Sequence, residues 1–269
     1  MAERHDQLYL TLPSNSSMKY HPNNTVANFT TQLSHPIQLS DGEWEVGLVE
    51  VHYPCSMPTV VEGKNHLSFD VKQADGTIKQ HEVVVPSGEY SSVKQLVDVI
   101  NTDPTVAAYA RFSVDEITGI VSIHFLSEEV PMTLLSRNLL VNLGFQQSGE
   151  PMKIQTEEER RLRVNRGIRP GNLLVTVPSQ MYLYCDLVEP QIVGDTVAPL
   201  LQIVNLNLSS CKYGTHQVAQ FNSPHYVPVL KNRFEQVEID LRDSTGSKLP
   251  FQFGTSCVKL HLRKTDRWR

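Results

Sequence analysis

Short runs of strict period-two alternation, each ended by Gly, Pro, Asn or Asp, constrain this chain more than any other feature. In EQVEIDLRDSTGS, Val237, Ile239 and Leu241 alternate with Glu238, Asp240 and Arg242 before the turn residues of DSTG. CVKLHLR repeats the pattern, with Val258, Leu260 and Leu262 opposed by Lys259, His261 and Arg263. QLYLTL aligns Leu8, Leu10 and Leu12. WEVGLVEVHYP places Trp44, Val46 and Leu48 on one face and Val49, Val51 and Tyr53 on the other, which predicts a central strand covered on both sides. With NFTTQL, PIQL, LLVTV, MYLY, APLLQIVNL and HYVPVL, about eight or nine strands fall outside the middle of the chain, a number and spacing that read as a β-sandwich.

The middle differs. HLSFDVKQADGTIKQHEVVVP reads as a hairpin turning at Asp75-Gly76. In SSVKQLVDVIN, Val93, Leu96, Val97 and Ile100 recur at helical spacing, with Ser91 or Ser92 placed to cap. RFSVDEITGIVSIHF is a second hairpin, with Thr118-Gly119 near its turn. SRNLLVNLGF is a short helix with Ser136 as its expected N-cap and Gly144 as its C-cap. The expected organisation is a mainly β chain: residues 1–58 and 173–269 form one sandwich, residues 59–150 an inserted small α+β domain, and residues 151–172 a charged linker.

The chain of 269 residues has a formal net charge of -5 and a pI near 6.1, a balance that argues against a surface for bare or sequence-specific nucleic acid. RRLRVNRGIR holds five arginines in ten residues, and the preceding EEE balances it as a solvated segment. No run approaches the roughly 18 apolar residues of a membrane helix. MAERHDQLYLTLP has no apolar h-region, so intracellular synthesis with reduced thiols, without a signal peptide, is expected. Cys55, Cys185, Cys211 and Cys257 form no C-x-x-C pair and are expected to be core or half-buried thiols.

Enzyme signatures fail. There is no G-x-S-x-G, G-x-G-x-x-G, phosphate-binding loop or H-E-x-x-H. Cys257 and His261 stand four apart on a strand, about 13 Å along it, too far for a nucleophile and its base. No catalytic residue, metal ligand or cofactor is expected. MYLYCDLVEPQIVGD gathers Cys185, Asp186, Glu189 and Asp195, but Pro190 interrupts pairing and Gly194-Asp195 is a turn signal. That stretch therefore reads as a joint between strands.

The central PIQLSDGEWEVGLVEVHYP, the α+β segment with YSSVKQLVDVIN, the joint YCDLVEPQIVGDTVAPLL and the closing FEQVEIDLRDSTGSKLPFQFGTSCVKLHLRK resemble, in that order from about residue 29 to residue 264, the penton-type minor capsid protein of Polinton (Maverick) elements and adintoviruses, and more distantly the virophage penton. The resemblance implies a single jelly-roll whose wedge-shaped copies associate head to tail into a homopentamer at the five-fold vertices of an icosahedral virion. It also implies an outward-facing insert and a double jelly-roll major capsid protein as partner. Trp44, Tyr53, Pro54, Asp186, Glu189, Pro190, Gly194 and Asp195 are the candidate assembly or structural residues. The competing expectation is a ligand- or glycan-binding sandwich module, for which Trp44 in a central strand and Trp268 in the tail offer no exposed aromatic platform.

Overall fold

The computed structural model describes residues 6–72, 75–126, 132–134, 138–145 and 157–265. In chain order the strands β1 (Gln7–Pro13), β2 (Asn28–Gln38) and β3 (Trp44–Pro54) come first. Then follow β4 (His66–Lys72), β5 (Ile78–Val84), α1 (Val93–Thr102), α2 (Pro104–Ala107), β6 (Ala110–Val114), β7 (Ile120–Phe125), β8 (Met132–Leu134), α3 (Asn138–Asn142), α4 (Glu157–Arg161) and β9 (Val164–Pro170). The last set is β10 (Gln180–Cys185), β11 (Gln191–Val193), β12 (Thr196–Ala198), β13 (Leu200–Asn205), β14 (His216–Gln220), β15 (Tyr226–Pro228), β16 (Arg233–Arg242) and β17 (Cys257–Lys264). The chain divides into two compact units, residues 1–57 with 178–269, and residues 58–177.

The first unit is mainly β and built as a jelly-roll. One sheet has the order β1-β17-β3-β14, with β15 also on β3; the other has the order β13-β10-β16-β2. With β14 and β15 taken as one interrupted strand, the first strand of the unit pairs with the last and the second with the next to last. The third pairs with the third from last, and β10 and β13 close the series, all antiparallel. That nesting is a long hairpin ribbon rolled into two layers. Its core takes Leu10, Leu12, Val46, Leu48, Val258, Leu260 and Leu262 from one sheet and Phe29, Met181, Leu183, Val204, Val237, Ile239 and Leu241 from the other.

The strand β3 departs from the alternation read in its sequence. Leu48 lies opposite Leu260, and Glu50 lies opposite Lys259, so Val49 is an extra residue in a β-bulge. One added residue reverses the parity of everything after it. Trp44, Val46 and Leu48 before the bulge and Val51 and Tyr53 after it are therefore all buried, with Val49 only half-buried. The strand is central in its sheet, between β17 and β14, but its apolar residues serve one face.

A second departure concerns the thiols. Cys55 follows β3 directly, Cys211 precedes β14, and the pairing of those strands brings them together as a disulfide with Cα atoms 5.4 Å apart. The expectation of four reduced cysteines fails for this pair, because a separation of 156 residues hides the adjacency from sequence spacing. Cys185 is buried, and burial pushes its thiol up to about 12; Cys257 is half-buried.

The second unit holds two three-stranded sheets, β5-β4-β8 and β6-β7-β9. Ser92 caps α1 by accepting from the Gln95 amide, and Leu96, Val97 and Ile100 of that helix enter a core with Phe69, Phe112, Ile123 and Leu140. Residues 164–170, expected within the linker, form the edge strand β9 on β7. Its inward positions are Val164, Asn165 and Gly167 and its outward ones include Arg166 and Ile168, so no apolar alternation marks it. Ile168 N–H donates to the Gly144 carbonyl at 2.8 Å, and a Cβ on Gly144 (φ +82°) would lie 2.2 Å from the Arg169 carbonyl oxygen. LLVTV, read as a strand, is a 3-10 turn over Leu173–Thr176 capped by Asn172. The expected Ser136 cap and residues 151–156 of the linker lie outside the described residues.

Candidate assembly surfaces

The candidate residues separate into three groups. Tyr53 and Pro54, at the carboxyl end of β3, are buried in the first unit, and burial raises the Tyr53 phenol above its ordinary value. They hold the sandwich together and offer no surface. Trp44, at the opposite end of that strand, is 5% exposed and donates its indole N–H to the Ser40 carbonyl at 2.9 Å. It also lines a crevice beside β1 and β2.

Asp186 is a strut. Its Oδ1 accepts from the Glu238 amide at 2.9 Å, and its Oδ2 pairs with Lys231 Nζ at 2.7 Å, which ties the end of β10 to β16 and the loop before it. Glu189 and Pro190 are exposed where the chain leaves that tie; the Glu189 amide still donates to the Pro228 carbonyl at 3.0 Å. Gly194 and Asp195 are the two-residue loop of the hairpin β11–β12. Gly194 has φ +64°, the conformation that the first position of a type II′ loop requires.

The hairpin carries what the sequence reading passed over. Ile192 and Val197 are register partners and so share one face, at 84% and 65% exposure. The signal for the hairpin was the pair of short β-branched runs, IV and TV, on either side of Gly194-Asp195.

On the other side of the unit, β2 breaks its pairing with β16: Phe234 faces Ile37 and Gln236 faces Gln32, so residues 33–36 loop outward around Pro36. Between this loop and β1 opens a crevice of about 640 Å³, with Leu8, Leu10, Leu33, Ile37, Leu39 and Trp44 as its apolar lining. A second cleft, about 420 Å³, lies over β10 and β16. Its charged residues are engaged internally: Arg242 pairs with Asp240 at 2.6 Å, donates to the Gly246 carbonyl at 3.2 Å and stands 5.9 Å from the Tyr184 ring.

The outer face of the β1-β17-β3 sheet is polar and interlocked. His261 is 8% exposed, stacked on Tyr9 at 4.4 Å, with Nδ1 2.8 Å from the Tyr226 hydroxyl and Nε2 3.3 Å from Gln7 Oε1. Burial first, and the Arg263 charge second, hold its pKa below the ordinary 6.5. Arg263 lies 3.6 Å over the Tyr226 ring and pairs with Glu45. Among the described residues no group of three or more His, Cys, Asp or Glu is placed to hold a metal, and no helix is long and apolar enough to cross a membrane.

These features define a class: a single jelly-roll sandwich carrying an α+β unit between its third and fourth strands. No family model matches the sequence, and no curated protein matches it. Among solved structures the chain is similar to the crystal structure of the mavirus penton protein, with a TM-score of 0.55 and 13% identity over 96% of this chain and 99% of that one. At that identity the likeness is one of fold.

Proposed function

We propose that this protein is a penton-type minor capsid protein: a structural, non-enzymatic subunit, five copies of which close head to tail at the five-fold vertices of an icosahedral virion shell. The observation that supports it is the length of the likeness, 96% of one chain and 99% of the other, since that span takes in both units of this chain. A jelly-roll alone is shared by proteins of many functions. The correspondence of a jelly-roll together with its insert supports a vertex protein over other jelly-roll proteins.

In this reading the chemistry is association. A closed ring needs heterologous contacts between two different patches of each copy. Each should bury more than about 1,000 Å² in total, the level of specific interfaces. The shell partner is a double jelly-roll major capsid protein, and the order of the motifs in the sequence points to the Polinton/Maverick and adintovirus type. Light scattering on the purified protein tests this: a mass five times the 30.4 kDa chain, alone or once mixed with the major capsid protein, is expected. A strict monomer with and without that partner, at all salt concentrations, would overturn it.

A further inference from the structure

We infer that the hairpin β11–β12 of one copy seats its Ile192–Val197 pair in the crevice between β1 and the outward loop of β2 on the next copy. The inference rests on the head-to-tail reading above and names its contact.

Four observations carry it. First, the hairpin has only three residues a strand, and an isolated two-stranded hairpin is marginal in water unless its apolar face is covered. That face, at 84% and 65% exposure, is uncovered in the single chain.

Second, the crevice is its complement. It has room for both aliphatic side chains, and its apolar walls come from the strands at the sheet edges, β1 and β2, together with Leu39 and with Trp44 of β3.

Third, the two features stand where a rotation can bring them together. The hairpin leads from β10 to β13, the edge of its sheet away from β2. Both lie at one end of the sandwich: Leu230 N–H donates to the Leu187 carbonyl at the hairpin base, and Val229 N–H donates to the carbonyl of Trp44 in the crevice wall. Opposite flanks at one level are what a ring axis running along the strands requires.

Fourth, the charges match. Glu189 precedes the hairpin and Asp195 lies in its loop, and neither has an ion pair among the described residues. Arg233, opposite Gln38, and Lys264, opposite Trp44, flank the crevice and likewise have none. Opposed rim charges of this kind steer encounter and set register.

The test compares the unaltered protein with I192D/V197D and, on the receiving side, with I37D. All positions are exposed or half-exposed, and unchanged melting confirms folding. Loss of the oligomer in both variants, with the association constant down at least about a hundredfold, is the expected result. A second measurement does not depend on loss of assembly. With Cys257→Ser throughout, a chain carrying Ile192→Cys is mixed with one carrying Ile37→Cys and oxidised gently. A covalent dimer from the mixture, absent from either chain alone, supports the contact. An unaltered protein that forms its pentamer while the variants do so equally, or while no cross-link appears, overturns this inference and leaves the capsid reading standing. A monomeric unaltered protein overturns both.

Discussion

Reducing the Cys55–Cys211 bond, or replacing both residues with serine, should weaken the jelly-roll far more than either side chain's packing would suggest. The bond joins positions 156 residues apart. If the whole chain unfolds, the loop-entropy relation gives about 5 kcal/mol of stabilisation at 25 °C. If residues 58–177 remain folded as a unit, the free chain inside the loop shrinks to residues 55–57 and 178–211, and the same relation gives about 4 kcal/mol. The two cases differ little because the cost grows only with the logarithm of length. Urea titration followed by tryptophan fluorescence measures it, with Trp268→Phe so that Trp44, buried at the start of β3, reports on the first unit alone. At a slope of about 2 kcal/mol per molar urea, the midpoint of the reduced protein should fall by about 2 M. Titration of the never-reduced, denatured protein should find two free thiols of the four cysteines. Four free thiols, or superimposable curves with and without reductant, would refute the reasoning.

Gly47→Ala should cost about 1–3 kcal/mol, because an added Cβ would lie 2.9 Å from Pro224 Cβ and 3.1 Å from the Tyr226 ring; thermal unfolding reads it. His261 is held below its ordinary pKa of 6.5, so the unfolded chain binds a proton that the folded one resists. Stability is then full above about pH 6.5 and declines as pH falls from there towards the folded-state value. His261→Gln should flatten that part of the stability-versus-pH curve, measured by denaturation at a series of pH values.

Several elements were legible because water imposes alternation on them. In β17 and over Val237–Arg242 of β16, polar residues alternate with buried apolar ones, and the sequences state it. The joint at residues 185–195 was legible as well, since Pro190 and Gly194-Asp195 act on the backbone locally. What stayed hidden depended on pairing. The bulge at Val49 exists only against β17, so WEVGLVEVHYP reads as apolar on two faces when it has one. β9 is held to β7 by backbone hydrogen bonds with Asn165 and Gly167 turned inward, and no apolar period announces it. The disulfide likewise follows from β3 meeting β14. Of the candidate site, the turn residues were visible and the apolar pair beside them was not, because three-residue strands are too short to show a period.

The chain leaves the sandwich once, after β3, and re-enters at β10; every ladder partner of those two strands lies within residues 1–57 or 178–269. Among the described residues, 58–177 contribute no rung to the sandwich's ladders. A change in the length of that segment would carry an entropic toll for the sandwich that rises only logarithmically with its size.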